Sequence, residues 1–286
     1  MMQFSRPVMA QSSEIALQQQ IQDTLAKYAG VYAVAFKDLQ TGKQVLINAQ
    51  ETFHAASTMK VPVMIEVFRQ AAAGHFTLED TVPVKNEFKS IADSSIYHLS
   101  REDDSQQELY RQIGARRTLY ALMYEMIIMS SNLATNIIIE KVGAENVTQT
   151  AHALGAPHIQ VLRGVEDEKA FEKGWNNTTT AYDLLVLFEK IAEGRAVSAD
   201  ASQAMIKILL DQHFNNVIPA HLPPEVKVAH KTGEITGVRH DAGIVFLPDG
   251  RKYVLVLLSK QLPDIAQGVQ AMANVSAIVY RYMQGK

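Results

Sequence analysis

The sequence predicts an α+β fold of three layers, α/β/α, in which one antiparallel sheet is formed from both ends of the chain. Two observations predict it. Segments rich in β-branched and aromatic residues occur near the two ends, and the long region between them has the apolar periodicity of helices. This order indicates a sheet beside an all-helical subdomain, with the functional site in the cleft between them.

Apolar periodicity and turn residues predict the elements one by one. Gly30 and Gly74 end two of the helices, and residues 248–250 form a tight turn between the last two strands. The predicted helices are 13–28, 57–73, 118–129, 133–142, 146–154, 178–191, 199–210 and 265–283, and the predicted strands are 31–38, 43–48, 226–229, 243–247 and 253–258.

These elements are expected to form one domain over residues 13–286. Its α/β part comprises residues 13–56 and about 214–286, and its helical part spans about residues 57–213. Inside the helical part, residues 81–117 are polar and irregular, which is typical of a functional or mobile loop.

Residues 1–12 are expected to be a disordered N-terminus or the remnant of an export signal. Arg6 and Pro7 interrupt what would be the apolar part of such a signal. Residues 8–10, Val-Met-Ala, nevertheless look like a small-residue cleavage site. Both interpretations remain open.

Composition excludes several classes of function. The chain has 286 residues, is 47% hydrophobic and carries a net charge of −3, so nothing marks it for nucleic acid or an anionic membrane. It has no Cys, which excludes disulfides and thiol catalysis, and no apolar run long enough for a membrane span. Its nine His do not have the spacing of a zinc hydrolase, so we expect no metal and no cofactor.

A Ser-x-x-Lys element opens the predicted buried helix at Ser57. Residues three apart share a face of a helix, so the Lys60 ammonium is expected beside the Ser57 hydroxyl. A serine becomes nucleophilic when a neighbour takes its proton, and a lysine can do so once its pKa is lowered. The tetrapeptide alone also fits a solvated cap serine followed by a surface lysine.

Two further polar elements accompany the Ser-x-x-Lys element. Ser130-Ser131-Asn132 separates two strongly hydrophobic helices, where an unpaired buried polar group costs about 1–3 kcal/mol, so these residues should have partners or a task. A cap for the helix that starts at Asn132 is plausible for one of the three residues but less so for all of them. Lys231-Thr232-Gly233 follows the strand predicted at 226–229, and on an edge strand it would direct a cation and a hydroxyl into a cleft that a ligand backbone can approach.

Together, in this order and with these separations, the three elements resemble the motif set of the serine penicillin-recognising enzymes, and within them the class A serine β-lactamases. The resemblance covers nearly the whole chain, and it implies a β-lactamase/transpeptidase-like fold. It also implies that Ser57 is the acylated nucleophile, that Lys60 helps to deprotonate it, and that Ser130 relays a proton to the leaving nitrogen.

The resemblance further implies a substrate-binding set. Asn132 would bind the amide side chain of the substrate, and Lys231 and Thr232 would bind its carboxylate beside Gly233. The backbone N–H of Glu234 would join that of the nucleophile in an oxyanion hole.

The chain departs from the family's pattern in two places. Ser131 stands where the family commonly has Asp. In the loop before residue 178 the family has Arg, one residue, and then the Glu that activates the deacylating water, whereas Arg163 is followed by one residue more before Glu166. Glu166 is our first candidate for this base, Glu168 the second, and Arg163 is expected to pair with an acidic neighbour. A solvated acidic loop is the alternative.

Deacylation therefore decides the function. With a working base the protein hydrolyses β-lactams through an acyl-enzyme on Ser57. Without one it is a penicillin-binding D,D-peptidase, a slow esterase, or a module that binds β-lactams or peptidoglycan without turnover. The resemblance implies a small-molecule β-lactam or peptidoglycan-like substrate, no nucleic acid, no membrane span, a monomer, and a periplasmic or secreted location.

Overall fold

The computed structural model describes the backbone of residues 7–285 and the side chains of residues 13–285. Its helices are α1 (Pro7–Leu25), α2 (Lys60–Ala72), α3 (Leu119–Ile128), α4 (Asn132–Val142), α5 (Ala144–Ala153), α6 (Glu168–Glu172), α7 (Ala181–Ala192), α8 (Ala199–Leu210) and α9 (Ile265–Met283). Its strands are β1 (Val31–Asp38), β2 (Gln44–Ile47), β3 (Phe53–His54), β4 (Thr81–Pro83), β5 (Phe88–Lys89), β6 (Ile96–Tyr97), β7 (Arg116–Thr118), β8 (Thr178–Thr179), β9 (Lys227–Ile235), β10 (Val238–Phe246) and β11 (Lys252–Lys260).

Five strands form the main sheet in the order β2-β1-β11-β10-β9, and all neighbours are antiparallel. β1 pairs with β11 along its whole length, from Val31 opposite Lys260 to Asp38 opposite Tyr253. The predicted sheet built from both ends of the chain is therefore confirmed.

Two apolar cores lie on the two faces of this sheet. Because successive side chains of a strand point to opposite faces, β1 contributes Ala33 and Ala35 to one core and Val34 and Phe36 to the other. The first core includes apolar residues of α2 to α5, α7 and α8, and the second includes those of α1 and α9. This arrangement confirms the predicted three layers.

The edge strand β9 is longer than predicted. It runs through Lys231, Thr232 and Gly233, which therefore lie inside the strand rather than after it. The sequence hides this because both faces of the strand are buried here, so the alternation of apolar and polar residues is lost. Its partner β10 also begins earlier than predicted, at Val238.

Residues 81–117 contain more regular structure than we predicted. β4 pairs with β7, β5 pairs with β6, and a 3-10 helix spans Gln107–Gln112. Elements of two or three residues are too short to show periodicity in the sequence.

The N-terminal helix begins at Pro7 rather than at residue 13. The expectation of a disordered segment or a signal remnant falls partly on residues 1–6, which lie outside the described residues. Within residues 7–285, no helix combines the length and the apolar character that crossing a membrane requires.

Candidate active site

Ser57 lies on a 3-10 turn, Ala56–Met59, that leads directly into α2. Thr58 fixes this turn, because its backbone N–H and its hydroxyl both donate to the Ala55 carbonyl, at 3.0 and 2.6 Å. The serine therefore stands at the head of a helix as predicted, although the α-helix itself starts at Lys60.

Lys60 is fully buried and reaches the turn that carries the second polar element. Its Nζ donates to the Ser130 carbonyl at 2.7 Å, to Ser130 Oγ at 3.2 Å and to Asn132 Oδ1 at 3.1 Å. Burial lowers the pKa of Lys60 to about 7, against the opposing effect of the Asp104 and Glu166 carboxylates. A substantial fraction of this lysine is therefore neutral near neutral pH.

Lys231 approaches the same hydroxyl from β9. Its Nζ donates to Ser130 Oγ at 3.1 Å and to the Thr232 carbonyl at 2.9 Å, and its side chain is fully buried. Burial, reinforced by the charge of Lys60, lowers the pKa of Lys231 well below its ordinary value. The Ser130 hydroxyl thus lies between two lysines, which suits a group that passes a proton on.

Asp104 supports this turn and was not foreseen from the sequence. Its buried carboxylate oxygen Oδ2 accepts hydrogen bonds from the Leu133 N–H at 2.8 Å and from Ser131 Oγ at 3.3 Å. Ser131 Oγ in turn caps α4 by accepting from the Ala134 N–H at 3.2 Å. Asp104 therefore brings a carboxylate to the position where Ser131 lacks one. The only signal was the polar cluster at 103–105, and nothing in it indicated residue 131.

Glu166 faces the same group of residues. One carboxylate oxygen accepts from Asn132 Nδ2 at 2.8 Å, and the other accepts from the Ser100 N–H at 3.0 Å. Burial raises the pKa of Glu166, and these two hydrogen bonds oppose the rise. Glu168 is exposed at the start of α6, so the geometry favours Glu166.

Backbone strain is concentrated at the site. Among the described residues, six non-glycine residues have positive φ, and three of them are Ala56 (44°), Ser130 (57°) and Glu166 (60°). Such conformations cost about 1–3 kcal/mol each and persist only where the surroundings enforce them. Half of these residues thus border the cavities at Ser57.

Residues 163–177, which we call the glutamate loop, carry Glu166. The prediction that Arg163 pairs with an acidic neighbour is wrong. Its guanidinium donates instead to the Trp175 carbonyl at 2.9 Å, to the Gly164 carbonyl at 3.0 Å and to Asn176 Oδ1 at 3.1 Å. Hydrogen bonds from Arg163 to neutral acceptors therefore join the two ends of the glutamate loop.

Two cavities meet at Ser57. One, of about 460 Å³, lies between Ser130, Asn132 and the strand residues Thr232 to Glu234. The other, of about 350 Å³, extends along the glutamate loop past Glu166. A substrate carbonyl at Ser57 can therefore be approached from both sides.

Gly233 keeps the wall of the first cavity close to Ser57. A Cβ at Gly233 would lie 3.1 Å from the Ser57 nitrogen and 3.2 Å from Ala56 Cβ, which is tighter than ordinary contact. The close approach predicted for this glycine is therefore an approach of the chain to itself.

Arg239 on β10 is a second cavity residue that sequence reasoning missed. It lies in the wall of the larger cavity beside Thr232, it is only 5% exposed, and it pairs with Glu234. Its guanidinium also donates to Asn216 Oδ1 at 2.6 Å. Arg239 and Lys231 thus place two basic side chains on this side of the site. In the sequence, Arg239 is only a charged residue shortly before the strand predicted at 243–247.

The fold and the site define a serine hydrolase of the acyl-transfer type. The model of the β-lactamase enzyme family matches residues 16–283. The chain belongs to this family, and the comparisons below support serine β-lactamase activity.

Individual relatives and solved structures agree. β-Lactamase ROB-1 of Haemophilus influenzae is 23% identical over 268 residues, which cover 92% of this chain and 83% of that protein. The structure of a β-lactamase from Sphaerobacter thermophilus DSM 20745 is 25% identical, with a TM-score of 0.79 over 96% of this chain and 97% of that one. A mutant of PBP-A, solved as an acyl-enzyme complex with penicillin G, is 27% identical, with a TM-score of 0.81 over 95% and 97%.

Proposed function

We propose that the protein is a class A serine β-lactamase that opens the β-lactam ring through an acyl-enzyme on Ser57 and hydrolyses this ester with Glu166. One observation carries the proposal: the half-buried Glu166 carboxylate is held by Asn132, the residue that also accepts from Lys60. An acid that serves hydrolysis is thus tied to the group that serves acylation.

Acylation begins when neutral Lys60 takes the proton of Ser57. Ser57 Oγ attacks the lactam carbonyl, and the N–H groups of Ser57 and Glu234 stabilise the oxygen that becomes negative. As the C–N bond breaks, Ser130 gives its proton to the leaving nitrogen and regains one from the lysines beside it. Lys231, Thr232 and Gly233 border the half of the site that takes the substrate carboxylate.

Hydrolysis needs a different base on the other side of the ester. Glu166 takes a proton from water, whose oxygen attacks the ester carbonyl, and Ser57 leaves with a proton returned to it. Burial raises the pKa of Glu166, which makes its carboxylate a stronger base than an exposed one. Asn132 keeps this carboxylate oriented.

The same proposal covers the wider setting of the enzyme. Residues 13–286 act as one domain, because the site takes Ser57, Glu166 and Lys231 from separate parts of the chain. The enzyme is monomeric, is exported to the periplasm or secreted, and protects its host against penicillins. Expression behind an added export signal in a susceptible host tests the protection. An unchanged inhibitory concentration of penicillin G contradicts it.

Intact-mass analysis after addition of penicillin G tests the proposed function. We expect an adduct with the full mass of the penicillin, because ring opening releases no fragment, followed by its disappearance as hydrolysed product accumulates. An adduct that persists for hours identifies the penicillin-binding alternative. If neither an adduct nor a hydrolysed product forms, the protein is a module that binds without turnover.

The acylation rate is expected to rise with pH and to level off above about pH 7. Lys60 accepts a proton only when neutral, and burial lowers its pKa to about 7, so the protonated form that dominates below this value is inactive. Stopped-flow acylation at several pH values measures the midpoint. Glu166→Gln removes a negative charge that favours protonated Lys60, so it should move the midpoint to lower pH.

Lys60→Arg is the control for this profile. An arginine keeps the positive charge but does not lose its proton, so acylation should fall by about 10²–10⁴-fold and lose its rise near pH 7. An acylation rate within tenfold of the parent would show that another group activates Ser57.

A further inference from the structure

The hairpin of β5 and β6, residues 88–97, lies against the glutamate loop. It belongs to the 81–117 segment, whose purpose the sequence did not reveal. Its own core is the contact between Phe88 and Tyr97, whose ring centres are 6.0 Å apart. The turn between its strands, residues 90–95, reaches the loop, and so does Tyr97 of β6.

The strongest contact is buried and involves the residue after Glu166. Asp167 is 2% exposed, and its two oxygens accept from Ser90 Oγ at 2.7 Å and from the Ile91 N–H at 2.9 Å. The same carboxylate caps α6 through the Ala170 N–H at 3.2 Å. Hydrogen bonds to a buried carboxylate are among the stronger ones in proteins, so they tie the hairpin firmly to the loop.

A second contact involves the residue before Glu166. The Tyr97 hydroxyl donates to the Val165 carbonyl at 3.3 Å and accepts from Asn136 Nδ2 at 3.1 Å. The Val165 N–H donates to Asn136 Oδ1 at 2.7 Å. Glu166 is therefore flanked by two anchored neighbours, and Ser100, shortly after the hairpin, donates its N–H to the Glu166 carboxylate at 3.0 Å.

A third contact lies at the solvent-exposed rim. Lys169 Nζ donates to Asp93 Oδ2 and to Ser95 Oγ, both at 2.7 Å, but the side chains of Lys169 and Asp93 are 54% and 45% exposed. Exposed ion pairs contribute little to stability, so this contact serves as an internal control for the buried ones.

We propose that the hairpin is a positioning element for the hydrolytic step, with Ser90 and Tyr97 as positioning residues. This inference rests on the proposed function of Glu166. The positive φ of Glu166, 60°, persists only while the residues on either side of it are fixed. When the hairpin contacts are lost, the backbone of Glu166 relaxes to an ordinary conformation, and its carboxylate moves away from the ester carbonyl. Acylation changes little, because Ser57 and Lys60 stand on α2 and the turn before it.

Ser90→Ala tests the proposal against Ser276→Ala. Ser276 is a matched control, since it is buried on α9 and its Oγ donates to the Ile218 carbonyl at 2.7 Å. With penicillin G, Ser90→Ala should slow deacylation about 10-fold, because small displacements of a catalytic group cost this much or more, and leave acylation within about twofold. kcat and KM should fall together while kcat/KM stays constant. Ser276→Ala should lower Tm by about as much as Ser90→Ala does, but it should leave the deacylation rate, kcat and KM unchanged.

Hydrogen exchange over residues 163–173 provides a readout that does not depend on activity. It should accelerate in Ser90→Ala and Tyr97→Phe, and stay at the parent rate in Ser276→Ala and Lys169→Ala. Unchanged exchange in Ser90→Ala overturns the proposal, because the loop is then held by other contacts. Faster exchange with unchanged deacylation overturns the positioning role, and the Glu166 assignment then stands or falls with its own variant.

Discussion

Ser57→Ala is expected to abolish formation of the penicillin adduct and to reduce hydrolysis by about 10⁴–10⁶-fold, while the protein stays folded. The reason is that the acyl bond forms on Ser57 Oγ, and none of Lys60, Ser130 and Lys231 forms a bond to the carbonyl carbon. The variant keeps the Cβ that packs in the 3-10 turn, so the loss is chemical rather than structural.

Ser105→Ala is the matched control, because Ser105 lines the same cavity and has no assigned role. It should acylate like the parent. Intact-mass spectra and Tm are measured on both variants. An adduct on any serine of Ser57→Ala would mean that the nucleophile lies elsewhere.

Glu166→Gln is expected to leave acylation by penicillin G nearly intact and to slow deacylation by about 10²–10⁴-fold, the usual contribution of a general base. Glutamine has the same size and can still accept one of the hydrogen bonds from Asn132 and Ser100, so the loop should keep its shape. The acyl-enzyme should accumulate to near full occupancy in the mass spectrum. In the parent, deacylation should also decline as the pH falls through the raised pKa of Glu166, because only the carboxylate accepts a proton.

Glu168→Gln is the control for this variant. Glu168 is exposed on α6, so its loss should change turnover little. Equal stalling in both variants would point to a collective effect of the loop rather than to one base. A parent that itself stalls as an acyl-enzyme would replace the β-lactamase assignment by the penicillin-binding one.

The parts of the site that the sequence predicted are those with local signals. Ser57 and Lys60 are three residues apart at the head of a helix, and Ser130 and Asn132 interrupt an apolar region. The structure brings Lys231 to them from the far end of the chain, and it does so because the edge strand β9 lies beside the 3-10 turn of Ser57.

The parts that it did not predict depend on contacts between distant segments. Asp104 reaches Ser131, and Ser100 reaches Glu166, from a region whose short elements leave no periodic signal. A backbone N–H such as that of Ser100 is present at almost every position, so no residue type announces its use. The expected ion pair of Arg163 was wrong for a related reason, since a guanidinium can also donate to carbonyl oxygens, which every residue carries.

The pairing of β1 with β11 also bears on how the chain folds. Val31 meets Lys260 across the sheet, so the central pair of strands joins residues separated by most of the sequence. Contacts of such long range are slow to form, because the loop between them must be closed before they contribute. β9 and β10 are made only when the last part of the chain has been synthesised, so Lys231 reaches Ser130 late. A nascent or truncated chain that already contains Ser57 and Glu166 therefore lacks Lys231 and Arg239 at the site.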